Sequence, residues 1–276
     1  MRKLCFWIVM GAVMGLIFGC AVTPPAPTPA CGSSPVLDRI LSRGELRVGM
    51  SGDMPPFTMT NREGKLIGLD VELATLIANT MKVKLNLKRI GFTELLPALE
   101  AGRIDLIISN MTIIPERNLK AVFVGPYFTS GKGLLTRRIT LADVVQMREL
   151  NSSQFTFVTV KGSTSESAVR SAAPLAINLA ADSIDQAVQA VVDGTADAMI
   201  AGYPVCFVAA FRHRDAGLVP VKAPITYEPI GIAMPRGDPH LANWLENLLH
   251  SLEKAGYMKK MKDKWFDHLD WLDELK

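Results

Sequence analysis

Two segments of the sequence are similar: residues 98–109 (ALEAGRIDLIIS) and residues 190–201 (AVVDGTADAMIA), which lie 92 positions apart. Each has the pattern of a helix that ends at a glycine (Gly102, Gly194) and is followed by a buried strand containing an aspartate. Two generic strand–helix units could share such an ending. The alternative is that the chain contains two similar α/β lobes, each with a strand that ends near a common cleft.

Strand-like and helix-like segments alternate through the first half of the chain. Residues 46–50 alternate between apolar and polar as in a strand, and residues 71–81 carry apolar side chains on one helical face. This alternation favours a mainly parallel sheet covered by helices. Ligands of open α/β sheets lie beyond the carboxyl ends of strands, so the segments after Ile108 and after Ile200 are predicted to line a site.

The amino terminus has the pattern of an export signal. A basic start is followed by an apolar run to Phe18, and residues 16–20 (LIFGC) resemble the processing site of bacterial lipoproteins. We expect residues 1–19 to be a lipoprotein signal peptide, with cleavage before Cys20 and lipid attached to the thiol of Cys20.

An uncleaved anchor is the alternative to cleavage, because the apolar run could extend to Val22. Residues 20–35 are rich in proline and are expected to form a linker between the membrane and the domain. Either way, the domain is expected in the periplasm or at the cell surface, anchored to the membrane, with Cys20 as the lipidation site.

Composition and motifs exclude several classes of function. Formal net charge is +3, with 30 basic and 27 acidic residues, which provides no electrostatic footprint for nucleic acid. The histidines and cysteines lack metal-site spacing, and no nucleotide-binding or hydrolase motif occurs. We therefore expect no cofactor, no metal and no catalytic residue. Cys206 is expected to pack in the core, although a disulfide with Cys31 would suit an oxidising compartment.

Three local features suit the capture of an anion. Arg117 follows the first cleft strand and could bind a carboxylate, or pair with a nearby acid at the surface. Ser163 and Glu166 fit a capping box at a helix start, where free amides could also hold an anion. Phe57 and Phe92 lie beside candidate loops, and Phe57 is the better candidate for the core.

Several runs of the sequence resemble one family. They are LRVGMSGDMPPF, GLDVELATLIA, GFTELLPALEAGRIDLIISNMTIIPER, GPYFTSG, VKGSTSES, DGTADAM and AGYMKKMKDKWF. On these runs, residues 37–267 resemble the bacterial extracellular solute-binding proteins of family 3, the amino-acid-binding components of ABC importers. The resemblance implies an α/β, two-lobed periplasmic-binding-protein-like fold of type II with two hinge strands. Lobe 1 would span 36–130 and 228–276, and lobe 2 would span 131–227.

The resemblance also implies a set of ligand contacts. Arg117 would bind the ligand α-carboxylate, and residues from lobe 2 would close over the ligand. Beside Arg117, the resemblance implies ligand contacts from Phe92, Thr112, Lys161, Thr164, Ser165 and the backbone of Ser109 and Met111. Asp53 and Tyr203 complete the expected ligand-binding residues as candidate partners for a ligand cation.

Two positions depart from the pattern that the resemblance implies. Met54 stands where many members have an aromatic lid, and Gly202 stands where they have an acid for the ligand's α-ammonium. Burying an ammonium without a partner is costly, so either the ligand lacks one or another acid reaches it. Asp53 and Glu166 are candidates for that acid, and Tyr203 could place its ring against a cation. We favour a carboxylate ligand that is not an ordinary L-α-amino acid.

Taken with the resemblance, these observations predict an extracytoplasmic solute-binding protein, not an enzyme, that captures an amino acid or related small carboxylate for an ABC importer. Its expected partners are the ligand, the importer permease and the membrane, and the chain is expected to be a monomer. A cyclohexadienyl dehydratase-like enzyme on the same fold, with Glu166 as general acid, is one alternative. A ligand-sensing partner of a membrane receptor is another.

Overall fold

The computed structural model of the protein describes residues 34–268 and 270–275. The predicted signal peptide, Cys20 and most of the predicted linker lie outside these residues. The last two linker residues belong to the folded domain: the Ser34 hydroxyl donates to Asp238 Oδ1 at 2.6 Å, and Pro35 begins the first helix. Among the helices of the described part, none is both long enough and apolar enough to cross a membrane.

Strands and helices alternate through most of the described chain. The strands are β1 (Glu45–Met50), β2 (Asp53–Met54), β3 (Thr58–Thr60), β4 (Leu66–Ile67), β5 (Lys84–Arg89), β6 (Leu106–Ile107), β7 (Val122–Ser130), β8 (Lys132–Thr136), β9 (Thr156–Val160), β10 (Ile177–Ala181), β11 (Ala198–Gly202), β12 (Val219–Pro220) and β13 (Glu228–Met234). The helices are α1 (Pro35–Arg43), α2 (Leu69–Thr80), α3 (Leu95–Glu100), α4 (Pro115–Asn118), α5 (Thr164–Ala172), α6 (Ile184–Val192), α7 (Tyr203–Arg212), α8 (Pro239–Lys254) and α9 (Tyr257–Lys262). A π-helical segment, Asp263–Asp267, extends α9, and short 3-10 turns occupy Phe92–Glu94, Ile139–Leu141, Met147–Leu150, Arg214–Ala216 and Asp270–Glu274.

Two five-stranded sheets form the centres of two lobes with the same topology. Their strand orders are β5-β1-β6-β13-β7 and β10-β9-β11-β8-β12. In each sheet the first three strands run parallel and the last two are antiparallel to their neighbours. A three-stranded sheet, β2-β3-β4, completes the first lobe. The predicted two-lobed α/β fold is therefore confirmed.

The two similar sequence segments occupy equivalent positions in the two sheets. Asp105 precedes β6, and its carboxylate accepts the backbone N–H of Arg47 in β1 at 2.9 Å. Asp197 precedes β11, and its carboxylate accepts the backbone N–H of Thr156 in β9 at 2.8 Å. The glycine that follows each preceding helix has a left-handed φ, 67° in the first segment and 76° in the second. The sequence similarity thus reflects the same structural unit in each lobe.

The chain crosses between the sheets twice, and the two crossings run side by side. β7 of the first sheet ends at Ser130, β8 of the second sheet begins at Lys132, and the return path enters β13 at Glu228. The backbone N–H of Lys132 donates to the Thr226 hydroxyl at 2.8 Å. A Cβ on Gly131 would lie 2.0 Å from the Thr226 carbonyl oxygen, so a glycine is required for this approach.

Buried apolar side chains between helices and sheets form the cores of the lobes. Phe57 is fully buried, as expected, and its ring contacts Phe128 and Phe266 at centroid distances of 5.1 and 5.3 Å. Cys206 also packs in the core, as expected, and burial raises the pKa of its thiol to about 12. The cluster around Cys206 includes apolar residues of both sheets, so the lobes share an apolar contact.

Candidate functional site

A cavity of about 50 Å³ lies between the lobes, at the carboxyl ends of β6, β9 and β11. The lobes contact each other across this cavity: the Arg117 guanidinium of the first lobe donates to the Gly162 carbonyl oxygen of the second lobe at 3.1 Å, so the conformation is a closed one. The cavity-lining residues are Met54, Phe92, Asn110, Thr112, Arg117, Ser130, Gly131, Lys132, Val160, Ser163, Thr164, Ser165, Ile184, Ile200, Ala201, Gly202, Val205, Glu228 and Ile230.

Arg117 presents a buried guanidinium to the cavity from the first lobe. Pro115 begins the short helix α4, which turns the chain after β6 and places Arg117 inward. The guanidinium donates to the carbonyl oxygens of Thr112, at 2.9 Å, and of Gly162 in the second lobe, at 3.1 Å, and it lies over the ring of Phe92. Burial lowers the pKa of Arg117 to about 10, against the opposing effect of Glu228, so the group is charged at neutral pH.

Lys132 and Glu228 meet inside the cavity because they sit on the two adjacent crossings. Their charged groups are 3.1 Å apart, and the Lys132 side chain is only 4% exposed. Glu228 also accepts the hydroxyls of Thr112 at 2.9 Å and Thr164 at 3.1 Å, while the Lys132 ammonium donates to the Thr164 hydroxyl. Burial lowers the pKa of Lys132, and the neighbouring Glu228 carboxylate opposes that shift. This network joins the two lobes.

Asp70 supports the cavity wall from behind. Its carboxyl group accepts the hydroxyl of Tyr127 at 2.7 Å and the backbone N–H of Asn110 at 2.8 Å. Asn110 has a φ of 48°, an uncommon conformation for a residue with a side chain. Burial raises the pKa of Asp70 from 3.8 to about 7, although both hydrogen bonds oppose the shift. Asp70 therefore holds a strained cavity residue in place.

Half of the expected ligand-binding residues line the cavity. Phe92, Thr112 and Arg117 come from the first lobe, and Thr164 and Ser165 come from the start of α5 in the second lobe. Phe92 lies in a 3-10 turn just before α3, so its ring forms part of the cavity wall.

The other five expected residues lie outside the cavity lining. Ser109 is fully buried and its hydroxyl accepts the Ser51 backbone N–H at 3.0 Å, and Met111 is buried in the core. Lys161 forms an exposed ion pair with Asp182, its ammonium 2.7 Å from the carboxylate. The two remaining residues line other surface pockets. Asp53 lines a pocket beside Arg89, and Tyr203 lines an apolar groove.

Met54 and Gly202, the two departures from the resemblance, both line the cavity. Glu166 does not line it. Its backbone N–H donates to the Ser163 hydroxyl at 3.3 Å and its carboxylate accepts the Gly162 N–H at 2.8 Å, so it serves the predicted cap of α5.

Sequence reasoning missed Lys132 and Glu228, although they are the most strongly interacting charged pair of the cavity. Their one local signal is Gly131, a glycine between two strand-like segments that permits the close crossing. In the described part of the chain, no group of three or more His, Cys, Asp or Glu residues is arranged to hold a metal ion. The polar groups of the cavity are suited to binding a carboxylate through charged donors and hydroxyls.

Two lobes of one topology, connected by two crossings and enclosing a cationic cavity, define a hinged ligand-binding protein. The chain belongs to the bacterial extracellular solute-binding proteins, family 3, whose family model matches residues 46–268.

Similar proteins include both binding proteins and an enzyme. The chain is 28% identical to the ABC transporter glutamine-binding protein of Bacillus subtilis, over 83% of this chain and 84% of that protein. It is 27% identical to the cyclohexadienyl dehydratase of Pseudomonas aeruginosa, over 84% of this chain and 86% of the enzyme. A crystal structure of an ABC transporter binding component from Wolinella succinogenes, complexed with lysine, is 36% identical, covers 84% of this chain and 99% of that chain, and gives a TM-score of 0.79.

Proposed function

We propose that this protein captures a small carboxylate solute, an amino acid or a close relative of one, and delivers it to an ABC importer. The observation that carries the proposal is the closed cavity into which Arg117 of one lobe and Lys132 of the other direct positive charge. Membership of the family and the binding proteins among the relatives support the transport role.

The proposed mechanism is binding coupled to hinge closure. A ligand carboxylate between Arg117 and the Thr164 hydroxyl would contact both lobes only when they are closed. Ligand would therefore shift the open–closed equilibrium towards the closed form, since it has extra contacts there. The direct contacts between lobes, such as Arg117 to the Gly162 carbonyl at 3.1 Å, support a closed state that is accessible to this chain. The closed form would then dock on the importer permease as a monomer.

The proposal places the protein outside the cytoplasm, in the periplasm or at the cell surface, held by lipid on Cys20. The basic start, the apolar run and the LIFGC sequence support a lipoprotein signal peptide. Cys20 lies outside the described residues, so this part of the proposal rests on the sequence.

Dehydratase activity is a second candidate, because a cyclohexadienyl dehydratase is among the relatives. Glu166 would be its general acid, but the Glu166 carboxylate accepts the Gly162 N–H and lies 3.5 Å from the Arg170 guanidinium, outside the cavity lining. This placement favours binding over catalysis. Incubation with prephenate or arogenate is expected to yield no aromatic product, and product formation would support the enzyme instead.

The experiment that tests the proposed function is calorimetric titration with a panel of amino acids and small carboxylates, using wild type, Arg117→Ala and Arg137→Ala. Removing one partner of a buried charge pair costs roughly 2–5 kcal/mol, or about 30-fold to several thousand-fold in affinity. Arg117→Ala should lose binding to that extent. Arg137 is an exposed arginine that donates to the Val192 carbonyl, so its variant serves as the matched control. An unchanged dissociation constant for Arg117→Ala contradicts the proposal.

A further inference from the structure

The charges of the ionised side chains that line the cavity do not sum to zero. Arg117 and Lys132 are cationic, and Glu228 is the one carboxylate that lines the cavity within residues 34–268 and 270–275. The cavity therefore carries one excess positive charge. All three residues are largely removed from solvent, so water screens this excess weakly.

The internal ion pair leaves donors available for a ligand. Glu228 binds Lys132, Thr112 and Thr164 through Oε2, and its Oε1 accepts the Thr226 hydroxyl at 3.5 Å. The Lys132 ammonium has three N–H donors and uses two of them, for Glu228 and Thr164. Arg117 uses two of its five donors for carbonyl oxygens. The unused donors of both cations are suited to an anion.

Nearby acids outside the cavity do not cancel the excess charge. Glu166 caps α5 and pairs with Arg170, and Glu116 is exposed to solvent on α4. Asp70 lies behind Asn110, and burial raises the pKa of its carboxyl group to about 7, so the group is largely protonated below that pH. Gly202, at the end of β11, supplies no carboxylate to the cavity. A bound ammonium would thus have Glu228 as its one acidic partner, in competition with Lys132.

We propose that the cleft selects ligands of net charge −1 over zwitterions, and that Lys132 is the residue that sets this selectivity. The inference rests on the proposed function and specifies its ligand class. A ligand of charge −1 neutralises the closed cavity, whereas a zwitterion leaves a buried charge uncompensated, and that is costly. Two kinds of solute satisfy the condition: monocarboxylates without an ammonium group, and amino acids with an acidic side chain.

The test uses two pairs of probes that differ in charge but little in shape. L-glutamate and L-glutamine differ in the side-chain group, while 3-phenylpropanoate and L-phenylalanine differ in the ammonium. Affinities are measured by calorimetry. For at least one pair, wild type is expected to prefer the anionic member by ~10-fold or more, the ratio that one modest charge interaction produces.

Three variants then change the charge of the cavity in defined steps, and a fourth serves as the control. Lys132→Gln removes the excess charge and should reduce the anion preference by ~10-fold or more, and Glu228→Gln should increase it. The double variant Lys132→Gln/Glu228→Gln restores one excess positive charge, so it should recover the wild-type preference. It also avoids an unpaired buried carboxylate, which protects the test if the Lys132 single variant folds poorly. Lys222→Gln, an exposed lysine paired with Asp143, is the matched control and should leave the preference unchanged.

The outcomes separate the inference from the proposed function. Binding of the neutral member of each pair at least as tightly as the anion overturns the charge inference while leaving carboxylate capture intact. A Lys132→Gln single variant that keeps the wild-type preference, or a double variant that lacks it, also overturns the charge inference. Failure of wild type to bind any carboxylate of the pairs or of the wider panel contradicts the proposed function and the inference with it.

Discussion

The buried carboxyl group of Asp70 is expected to make the stability of the protein depend on pH. The side chain is fully buried, its two oxygens accept hydrogen bonds from Tyr127 and Asn110, and burial raises its pKa from 3.8 to about 7. Asparagine is the informative substitution. Its carbonyl oxygen can accept the Asn110 N–H and its amide can donate to the Tyr127 oxygen, as a protonated carboxyl group would, so the contacts of the protonated form are reproduced while the titratable group is removed.

The direction of the pH effect follows from the raised pKa. Between about pH 4 and pH 7 the folded protein holds a proton on Asp70 that the unfolded chain has released. The stability contributed by this protonated group is fully present below the unfolded pKa and is lost as pH rises through the folded pKa. A pKa shift of this size lowers the free energy of unfolding by about 2 to 3 kcal/mol between pH 5 and pH 8.

The effect is measured by urea unfolding of wild type and Asp70→Asn at pH 5 and pH 8. The change in the free energy of unfolding between the two pH values is compared for the two proteins. Over this pH range the free energy of unfolding should fall by about 2 to 3 kcal/mol more in wild type than in Asp70→Asn, because all other groups titrate in both proteins. Asp215→Asn changes an exposed aspartate and should follow wild type. If wild type and Asp70→Asn change in parallel, the carboxyl group of Asp70 does not titrate as burial requires.

Three further predictions concern the cavity, the sheet and the anchor. Gly202→Asp should strengthen the binding of zwitterionic amino acids measured by calorimetry, because the added acid offsets the excess positive charge. A Cβ at this position would lie 3.7 Å from the nearest atom, so the side chain has room to enter. An unchanged preference between anionic and zwitterionic ligands contradicts this prediction. Asp105→Ala should cost about 3 kcal/mol in urea unfolding, more than Asp197→Ala, because Asp105 is fully buried and Asp197 is 24% exposed; equal costs refute the comparison. Cys20→Ser should abolish palmitate labelling, and an unlabelled wild type refutes the anchor.

Much of the fold could be predicted from the sequence because its signals are local. Apolar periodicity indicated β1 and α2, and the resemblance gave the two-lobed class. The repeated aspartates proved informative because each accepts a backbone N–H of a neighbouring strand, a role that fixes its spacing from the preceding glycine. The buried strand predicted after Gly102 is short in the structure: only Leu106–Ile107 is a strand, although the backbone N–H groups of Asp105 and Ile108 on either side of it also donate to carbonyl oxygens of β1.

The candidate site was harder to predict, because its central ion pair depends on contacts between distant segments. Lys132 and Glu228 sit in short runs, TSGKG and TYEPI, that carry no local pattern of a binding site. They meet because Gly131 allows two crossings to pack closely. Lys161 shows the opposite case: it follows β9 in a segment that reaches the cavity, yet its ammonium pairs with Asp182 at the surface.

The two parts of the cavity therefore have different origins in the sequence. The inward position of the Arg117 guanidinium follows from local structure, since a buried strand is followed by a proline and a short helix that turn this side chain inward. The net charge depends also on positions 132, 202 and 228, which lie at the crossings and at one strand end. Under the proposed charge selectivity, a change at any of them alters the charge that a ligand must match. Relatives with one fold can thus differ in ligand, and the ligand of this protein is to be sought through those charges and not through the fold.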